Sequence, residues 1–351
     1  MVAAALAVLL AASIAEAQTR APKWEIEGYG GLATNAGSAG TSALPAPGAA
    51  ILTSSVLFPS RQAPSWFFGD GAAMLNDVTA EFALPDQIAP LDTALRSSGL
   101  GGGHASYGVR VRRSLTPRWS AEVSVDIGNG ARGISGGLTD ALEAARDSFE
   151  TTFAGLLATG PFTGITIDAT NTTTLGSGGD LSVTGAVNVH FGRRGGLTPH
   201  ATFGGGITSG WGELPSATLQ GDYRFNVLGQ APFQETDRVT LRYERSAAAP
   251  IFVVGGGVRR DVSDRWGWRI DGRLLAGGGG TRLLIDATPS VAVGTPTGVI
   301  ESLTNPNLQF SNSASTGRTS TLGGPPVSGF VAFDEGFRTR FSVTFGITRK
   351  F

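Results

Sequence analysis

The stretch that most constrains this chain is its last fifteen residues, 337–351 (FRTRFSVTFGITRKF). Phe337, Thr339, Phe341, Val343, Phe345 and Ile347 fall on one face of an extended strand, and Arg338, Arg340, Ser342, Thr344, Gly346 and Thr348 on the other. Five of the first six are apolar and none of the second six is, which is a strict period of two. A strand with lipid against one side and a polar lumen against the other needs this division. A soluble sandwich has little use for an unbroken apolar stripe backed by charge at its very end. The pattern predicts a membrane-crossing strand that closes the structure at Phe351.

Composition agrees. Charged residues make up 16 % of the chain, below the usual ~25 %, and the 52 glycines are about twice the average share. Past the N-terminus no uninterrupted apolar run approaches the ~20 residues of a spanning helix. A formal net charge of −1 gives no electrostatic footing for nucleic-acid binding. There is no Cys, which excludes disulfides, a thiolate nucleophile and a Cys-ligated metal. Residues 1–17 (MVAAALAVLLAASIAEA) combine an apolar core with a small-x-small site, Ala15-Glu16-Ala17, before Gln18. That reads as a signal peptide, removed on export, although no Lys or Arg precedes the core.

The alternation recurs. Trp119, Ala121, Val123, Val125 and Ile127 point one way and Ser120, Glu122, Ser124, Asp126 and Gly128 the other. Ala105, Tyr107, Val109 and Val111 alternate likewise with Ser106, Gly108, Arg110 and Arg112, and residues 114–118 link the two runs as a hairpin turn. The segment VRRSLTPRWSAEVSVDI (residues 111–127) is echoed by VRRDVSDRWGWRIDGRL (residues 258–274), one architectural unit used twice. Applied throughout, the rule yields eight strands at about residues 24–33, 104–113, 119–128, 181–192, 197–208, 251–262, 266–276 and 337–351. Three connections are turns of a few residues, and the other four run to about 40–70 residues each, the asymmetry of an outer-membrane barrel with periplasmic turns and extracellular loops. Leu219–Val227 and Val239–Tyr243 also alternate. They form either two more spanning strands, making ten, or a hairpin that extends its neighbours above the membrane with its tip near residues 228–237. The second arrangement keeps an antiparallel register, with Val227 opposite Arg238 nearly in line with Leu197 opposite Val262.

The aromatics give an independent check. In this topology Trp24, Trp119 and Trp266 begin strands that run away from the short-turn end, while Phe191 and Phe351 end strands that return to it. All five fall at one boundary, where amphipathic rings favour the lipid interface.

The export signal, the eight alternating strands, the TPRW and SDRW turns and the terminal Phe351 resemble the small bacterial outer-membrane β-barrels of the OmpA/OmpX/OmpW type. The resemblance covers about a third of the chain, since only the strands carry it, and its motifs are architectural. It implies an outer-membrane location in a Gram-negative cell, contact with outer-membrane lipid and lipopolysaccharide, and insertion by the barrel-assembly machinery. The terminal signature read by that machinery in this family has an aromatic two residues before the final Phe, where this chain has Arg349.

Strand phase places Glu25, Glu27, Glu122, Asp126, Asp261 and Asp271 in the lumen with Arg110, Arg112, Arg259, Arg269, Arg273, Arg338, Arg340 and Lys350. An eight-stranded barrel has an interior that side chains just fill, and an unpaired buried charge costs several kcal/mol. The set therefore reads either as an ion-pair mesh that plugs the barrel or as the lining of a narrow, Arg-rich pore. Arg113, Arg260 and Arg349 face lipid, all near the short-turn end, where the penalty shrinks to about 0–1 kcal/mol.

Other chemistry is thinly represented. His190 and His200 face the lumen near one another, but the sequence places no third metal ligand. His104 and Ser106 at the far rim resemble the His-x-Ser pair of outer-membrane lipid A deacylases, with Tyr107 standing where that pattern has Asn. Asp70, Asp77, Glu81 and Asp86 suggest an omptin-like protease site, without the strand-end Asp/His pairing that site uses. The glycine runs at 101–103, 204–206, 255–257 and 277–280 are not strand–loop–helix phosphate cradles. One helix is predicted at about residues 139–157, because Leu138, Leu142, Ala145, Phe149, Phe153 and Leu156 recur at three- and four-residue steps. It either packs over the barrel mouth against other loops or serves as a gate or a surface lying on the outer leaflet. The runs AGSAGTSALPAPG and SNSASTGRTSTLGGPP read as mobile loop segments.

The expectation is a single all-β transmembrane up-and-down barrel of eight strands with long extracellular loops. The leading function is a non-enzymatic outer-membrane protein, structural, adhesive or ligand-binding through its loops. A narrow porin-like channel is second and a lipid A-modifying enzyme third. No cofactor or metal and no nucleic acid is expected.

Overall fold

The computed structural model describes residues 24–36, 40–51, 60–96, 103–129, 133–192, 196–227, 232–245, 247–278, 280–290, 298–300, 308–310, 312–313, 317–318, 320–323 and 326–351. The expected signal peptide lies outside them, as do parts of both Ser/Gly/Pro-rich runs. In chain order the principal strands are β1 (Trp24–Ala36), β2 (Thr41–Ser42), β3 (Gly103–Ser114), β4 (Trp119–Asn129), β5 (Phe162–Thr174), β6 (Ser177–His190) and β7 (Leu197–Glu213). They continue as β8 (Ser216–Val227), β9 (Phe233–Arg245), β10 (Ala249–Asp261), β11 (Trp266–Gly277), β12 (Thr281–Ala287), β13 (Val327–Asp334) and β14 (Arg338–Lys350). The helices are α1 (Gly69–Glu81), α2 (Asp92–Arg96) and α3 (Gly136–Ala158).

Eight strands close into an antiparallel barrel in the order β1-β14-β11-β10-β7-β6-β4-β3. The terminal strand makes the closure: β14 pairs with β11 on one side and with β1 on the other, Glu25 opposite Lys350 and Asn35 opposite Arg340. Its apolar face is turned outward, with Phe341, Val343, Phe345 and Ile347 all about half exposed, while Ser342, Thr344 and Thr348 are buried inside. The same outward belt continues through Val109, Val125, Val187, Phe203, Phe252 and Ile270. No helix among the described residues is long and apolar enough to cross a membrane.

The echoed hairpins are built alike. In the β3–β4 turn the backbone N–H groups of Leu115 and Thr116 donate to Trp119 O, and Thr116 Oγ1 accepts from Trp119 N at 3.0 Å. In the β10–β11 turn Val262 and Ser263 donate to Trp266 O, and Ser263 Oγ accepts from Trp266 N at 3.1 Å. A hydroxyl three residues before each Trp thus fixes the tight reversal. Where β6 and β7 cross, the barrel wall requires glycine: a Cβ on Gly206 would stand 2.0 Å from Val183 O.

The long connections do not hang as separate loops. They assemble a second sheet, ordered β2-β13-β12-β9-β8-β5, with strands from all four. Trp66, Phe67, Phe149, Phe153, Tyr223, Phe225, Phe233 and Phe310 are essentially sealed from solvent in its core. Phe153 stacks on Tyr223 with ring centroids 4.7 Å apart, and Phe225 on Phe233 at 5.2 Å. Helix α3 contacts β5 and β8, burying Leu138, Leu142, Ala145, Phe149, Phe153 and Leu156. The face predicted from its periodicity is therefore turned to the sheet of this cap and not to a lipid leaflet. Polar ties join the loops. Asn76 on α1 holds Ile88 through both its backbone groups, and Ser148 on α3 accepts the Ala89 N–H at 2.9 Å.

One sequence expectation is corrected. The β8–β9 hairpin neither spans nor continues the barrel register, and Arg238 pairs with Gln220 instead of Val227. Leu197 likewise pairs with Arg260, not Val262. The physical reason is that Phe225 must meet Phe233 in the aromatic core. The strand is also interrupted at Leu214-Pro215 between β7 and β8, where Pro215 offers no N–H to a ladder.

Candidate functional site

The lumen is filled in three tiers, because inward positions recur every second residue on every strand. At the short-turn end Glu25 pairs closely with Arg112 and lies 3.0 Å from Arg259, and Asp261 takes Arg259 at 2.9 Å and Lys350 at 2.8 Å. Ser120 Oγ lies 2.9 Å from His190 Nε2, and the His190 and His200 rings are 6.0 Å apart.

The middle tier is the tightest. Arg110 Nη1 reaches Glu27 at 2.9 Å and Asp271 at 2.7 Å. Arg269 reaches Glu122 at 2.6 Å and Asp271 at 2.9 Å, and Arg273 reaches the same two carboxylates at 2.5 and 3.2 Å. Three carboxylates thus face three guanidiniums, all at most 5 % exposed. The sum of charge is zero, so nothing in this layer is left as an uncompensated buried ion. Neutral groups complete it: Asn188 donates to Glu122 at 3.2 Å and accepts from Thr202 at 2.6 Å, Arg110 Nη2 donates to Thr344, and His200 Nε2 stands 2.6 Å from Asp271. Above it Tyr29 donates to Asp126, and the Arg110 guanidinium lies 3.6 Å over the Tyr29 ring.

At the cap end the mesh ends. Arg340 Nη2 donates to Ser182 Oγ at 3.3 Å, and Arg338 and Arg340 line a cavity of about 40 Å³. The inward residues named from strand phase thus fall at three heights. Glu27, Arg110, Glu122, Arg269, Asp271 and Arg273 form one cross-lumen cluster, while Glu25 and Arg112 lie below it and Asp126, Arg338 and Arg340 above. Tyr29, Asp180 and Asn188 share the same phase and are as well placed, which a count restricted to charged strands near the known turns passes over.

At the boundary Trp119, Phe191, Trp266 and Phe351 are exposed and Trp24 half-buried. Two of the outward-facing cations lie there over aromatic faces: Arg113 over Trp24 at 5.4 Å, and Arg349 over Trp266 at 5.6 Å and Phe351 at 5.1 Å. His104 and Ser106 are buried and point into the lumen, away from the outward belt. Among the described residues no three His, Asp or Glu side chains converge as metal ligands.

The cap contains three buried carboxylates that sequence reading did not single out, Asp237, Glu235 and Glu335. Asp237 Oδ2 accepts the Trp66 N–H at 2.7 Å and Ser65 Oγ at 2.9 Å, and burial pushes its carboxyl up to about 7. Glu235, on the same strand face, accepts Ser320 Oγ at 2.9 Å and the Tyr223 hydroxyl. Together Asp237 and Glu235 pin the first and fourth long connections onto β9. On the sequence these two interrupt the apolar alternation of β9, which is why the strand signal begins only at Val239.

No protein-family model and no curated sequence matches the chain. Among solved structures it is similar to a deletion mutant of the monoaromatic hydrocarbon channel TodX at 7 % identity and a TM-score of 0.20, over 95 % of this chain and 91 % of that one. The toluene transporter TodX of P. putida gives 9 % and 0.18 over the same shares, and a FadL homologue of Pseudomonas aeruginosa 8 % and 0.15 over 93 % and 89 %. Superpositions this loose assign neither family nor cargo.

Proposed function

We propose that the protein is a non-enzymatic bacterial outer-membrane protein, of the small OmpA/OmpX/OmpW barrel type, in which a closed barrel anchors a folded external domain. The observation that carries this reading is the middle tier of the lumen. Six charged side chains are packed there at hydrogen-bond distance with almost no exposure, which leaves no column of water for a solute to follow. The volume of structure above the barrel supports it as well. Four long connections fold into one domain with its own aromatic core, an investment that a mere plug does not need. On this account recognition of a ligand or a neighbouring surface belongs to the cap, and outer-membrane lipid and lipopolysaccharide surround the belt.

A narrow solute channel is the second reading, favoured by the cavity between the mesh and the cap. Its expected sign is a unitary conductance that changes when Arg340 is replaced by Ala.

Because the chain has no Cys, placement can be read by single-cysteine labelling. Asp168→Cys on exposed β5 should react with a membrane-impermeant maleimide on intact cells, and Asp264→Cys in the β10–β11 turn only after permeabilisation. Labelling of Asp264→Cys alone on intact cells would overturn the proposed orientation.

A further inference from the structure

We propose that the chamber between the ion-pair mesh and the cap is a binding site for a small multi-oxygen anion, with Arg340 as its principal contact. Its walls include Arg245, Arg338, Arg340, Asp180, Ser182 and Thr208. Three guanidiniums therefore stand around it against one carboxylate. The middle tier below is self-neutral, so it does not absorb that surplus.

Of these cations Arg340 is held by a group that leaves its charge standing, whereas Arg245 is tied to Asp180 as well as to backbone carbonyls. Arg245 is held by backbone carbonyls, Nη1 donating to Gly179 O at 3.1 Å and Nη2 to Trp211 O at 3.0 Å, with Asp180 at 3.5 Å. Arg340 makes no ion pair among the described residues, and its hydrogen bond goes to the neutral Ser182 hydroxyl at 3.3 Å. Ser182 in turn commits its one hydroxyl proton to Thr208 Oγ1 at 3.0 Å, so an arriving acceptor takes its hydrogen bonds from the guanidinium. Ala249, Ile251 and Leu275 supply its apolar side, Leu275 as the cross-strand neighbour of Arg340. That apolar side lowers the local dielectric and strengthens attraction for an anion over its value in water.

The shape of the donors selects the ligand class. Guanidinium forks match two oxygens on one centre, as in phosphate or carboxylate, better than they match a halide. A space of about 40 Å³ suits an ion of a few heavy atoms and excludes a sugar or peptide. The Arg-rich lining disfavours a cation, and the half-buried Arg340 guanidinium calls for an acceptor that an apolar solute does not offer. This site goes beyond the anchoring role and is independent of it, since an anion can be held above a closed mesh.

The test uses the full chain folded in lipid-free detergent micelles, titrated with inorganic phosphate by calorimetry. Saturable one-site binding is expected, weakened at least tenfold in Arg340→Gln and unchanged in Arg118→Gln, whose side chain lies in an exposed turn at the other end. Acetate in place of phosphate distinguishes a carboxylate site, which would bind acetate as tightly. Addition of purified lipid A to the phosphate-saturated protein distinguishes a lipid headgroup source, which would displace the phosphate. Should Arg340→Gln not fold, the wild-type melting temperature supplies the readout, because it should rise with phosphate concentration at constant ionic strength. No saturable heat and no rise in melting temperature with any of the three anions, or equal binding by the two variants, would overturn the proposal.

Discussion

Glu122 and Arg269 occupy equivalent positions in the two echoed hairpins, yet stand 2.6 Å apart. Their strands, β4 and β11, are separated by three strands on either side of the closed barrel, so they lie on opposite walls. The duplicated unit thus meets itself across the lumen with its charge reversed, and Asp126 and Arg273 are a second equivalent pair of opposite sign. The contact between Glu122 and Arg269 helps to fill the lumen of a barrel whose wall is closed by β14. Deleting Arg269 leaves three carboxylates against two guanidiniums in a dry, low-dielectric layer. Arg269→Ala should therefore cost about 3–5 kcal/mol, read as a lower urea midpoint for loss of heat-modifiable migration. Glu122→Gln in the same background should recover part of the loss, because it removes the surplus negative charge.

The cap should respond to pH through Asp237. Its folded value of about 7 lies above the ordinary 3.8 because burial disfavours the carboxylate. Between about pH 4 and pH 7 the folded state holds the proton and the unfolded state does not, so stability falls as pH rises through that window and is level on either side. The full change is on the order of 4 kcal/mol. Urea unfolding followed by near-ultraviolet circular dichroism of the aromatic core should show that decline. Asp237→Asn, which keeps an acceptor for the Trp66 N–H, should flatten it.

The outward belt predicts a depth dependence. Phe345 lies half-exposed near the middle of β14, where an arginine should cost about 2–4 kcal/mol in a bilayer, whereas cations near the interface cost about 0–1. Phe345→Arg should accordingly lower refolding yield and stability in lipid vesicles, while Arg349→Lys, at the aromatic boundary, should leave both near the parent values. Equal effects at the two depths would mean that this face does not meet lipid.

The barrel was legible because its rule is local. Inside-outside phase repeats every two residues, so Glu27, Arg110 and Asp271 could be placed inward with no knowledge of their partners, and the helical period of Leu138, Leu142, Phe149 and Phe153 marked α3. The cap was not legible, because its order comes from contacts between segments far apart in the chain. Strand β5 is rich in exposed Thr and carries almost no alternation, and Glu235 and Asp237 look like surface residues until Ser320, Ser65 and Trp66 arrive from other connections. The β8–β9 register was set by pairing of Phe225 with Phe233, which a rule of strand continuation does not contain.

The closed lumen is tested most directly by planar-bilayer recording of the purified full-length protein. The arrangement of Glu122, Asp271, Arg110 and Arg269 predicts no discrete single-channel steps from the wild type. It predicts steps once those four are replaced by Ala together, a change that removes two charges of each sign. Reproducible steps from the wild type, of the same size as those of the fourfold variant, would contradict the account.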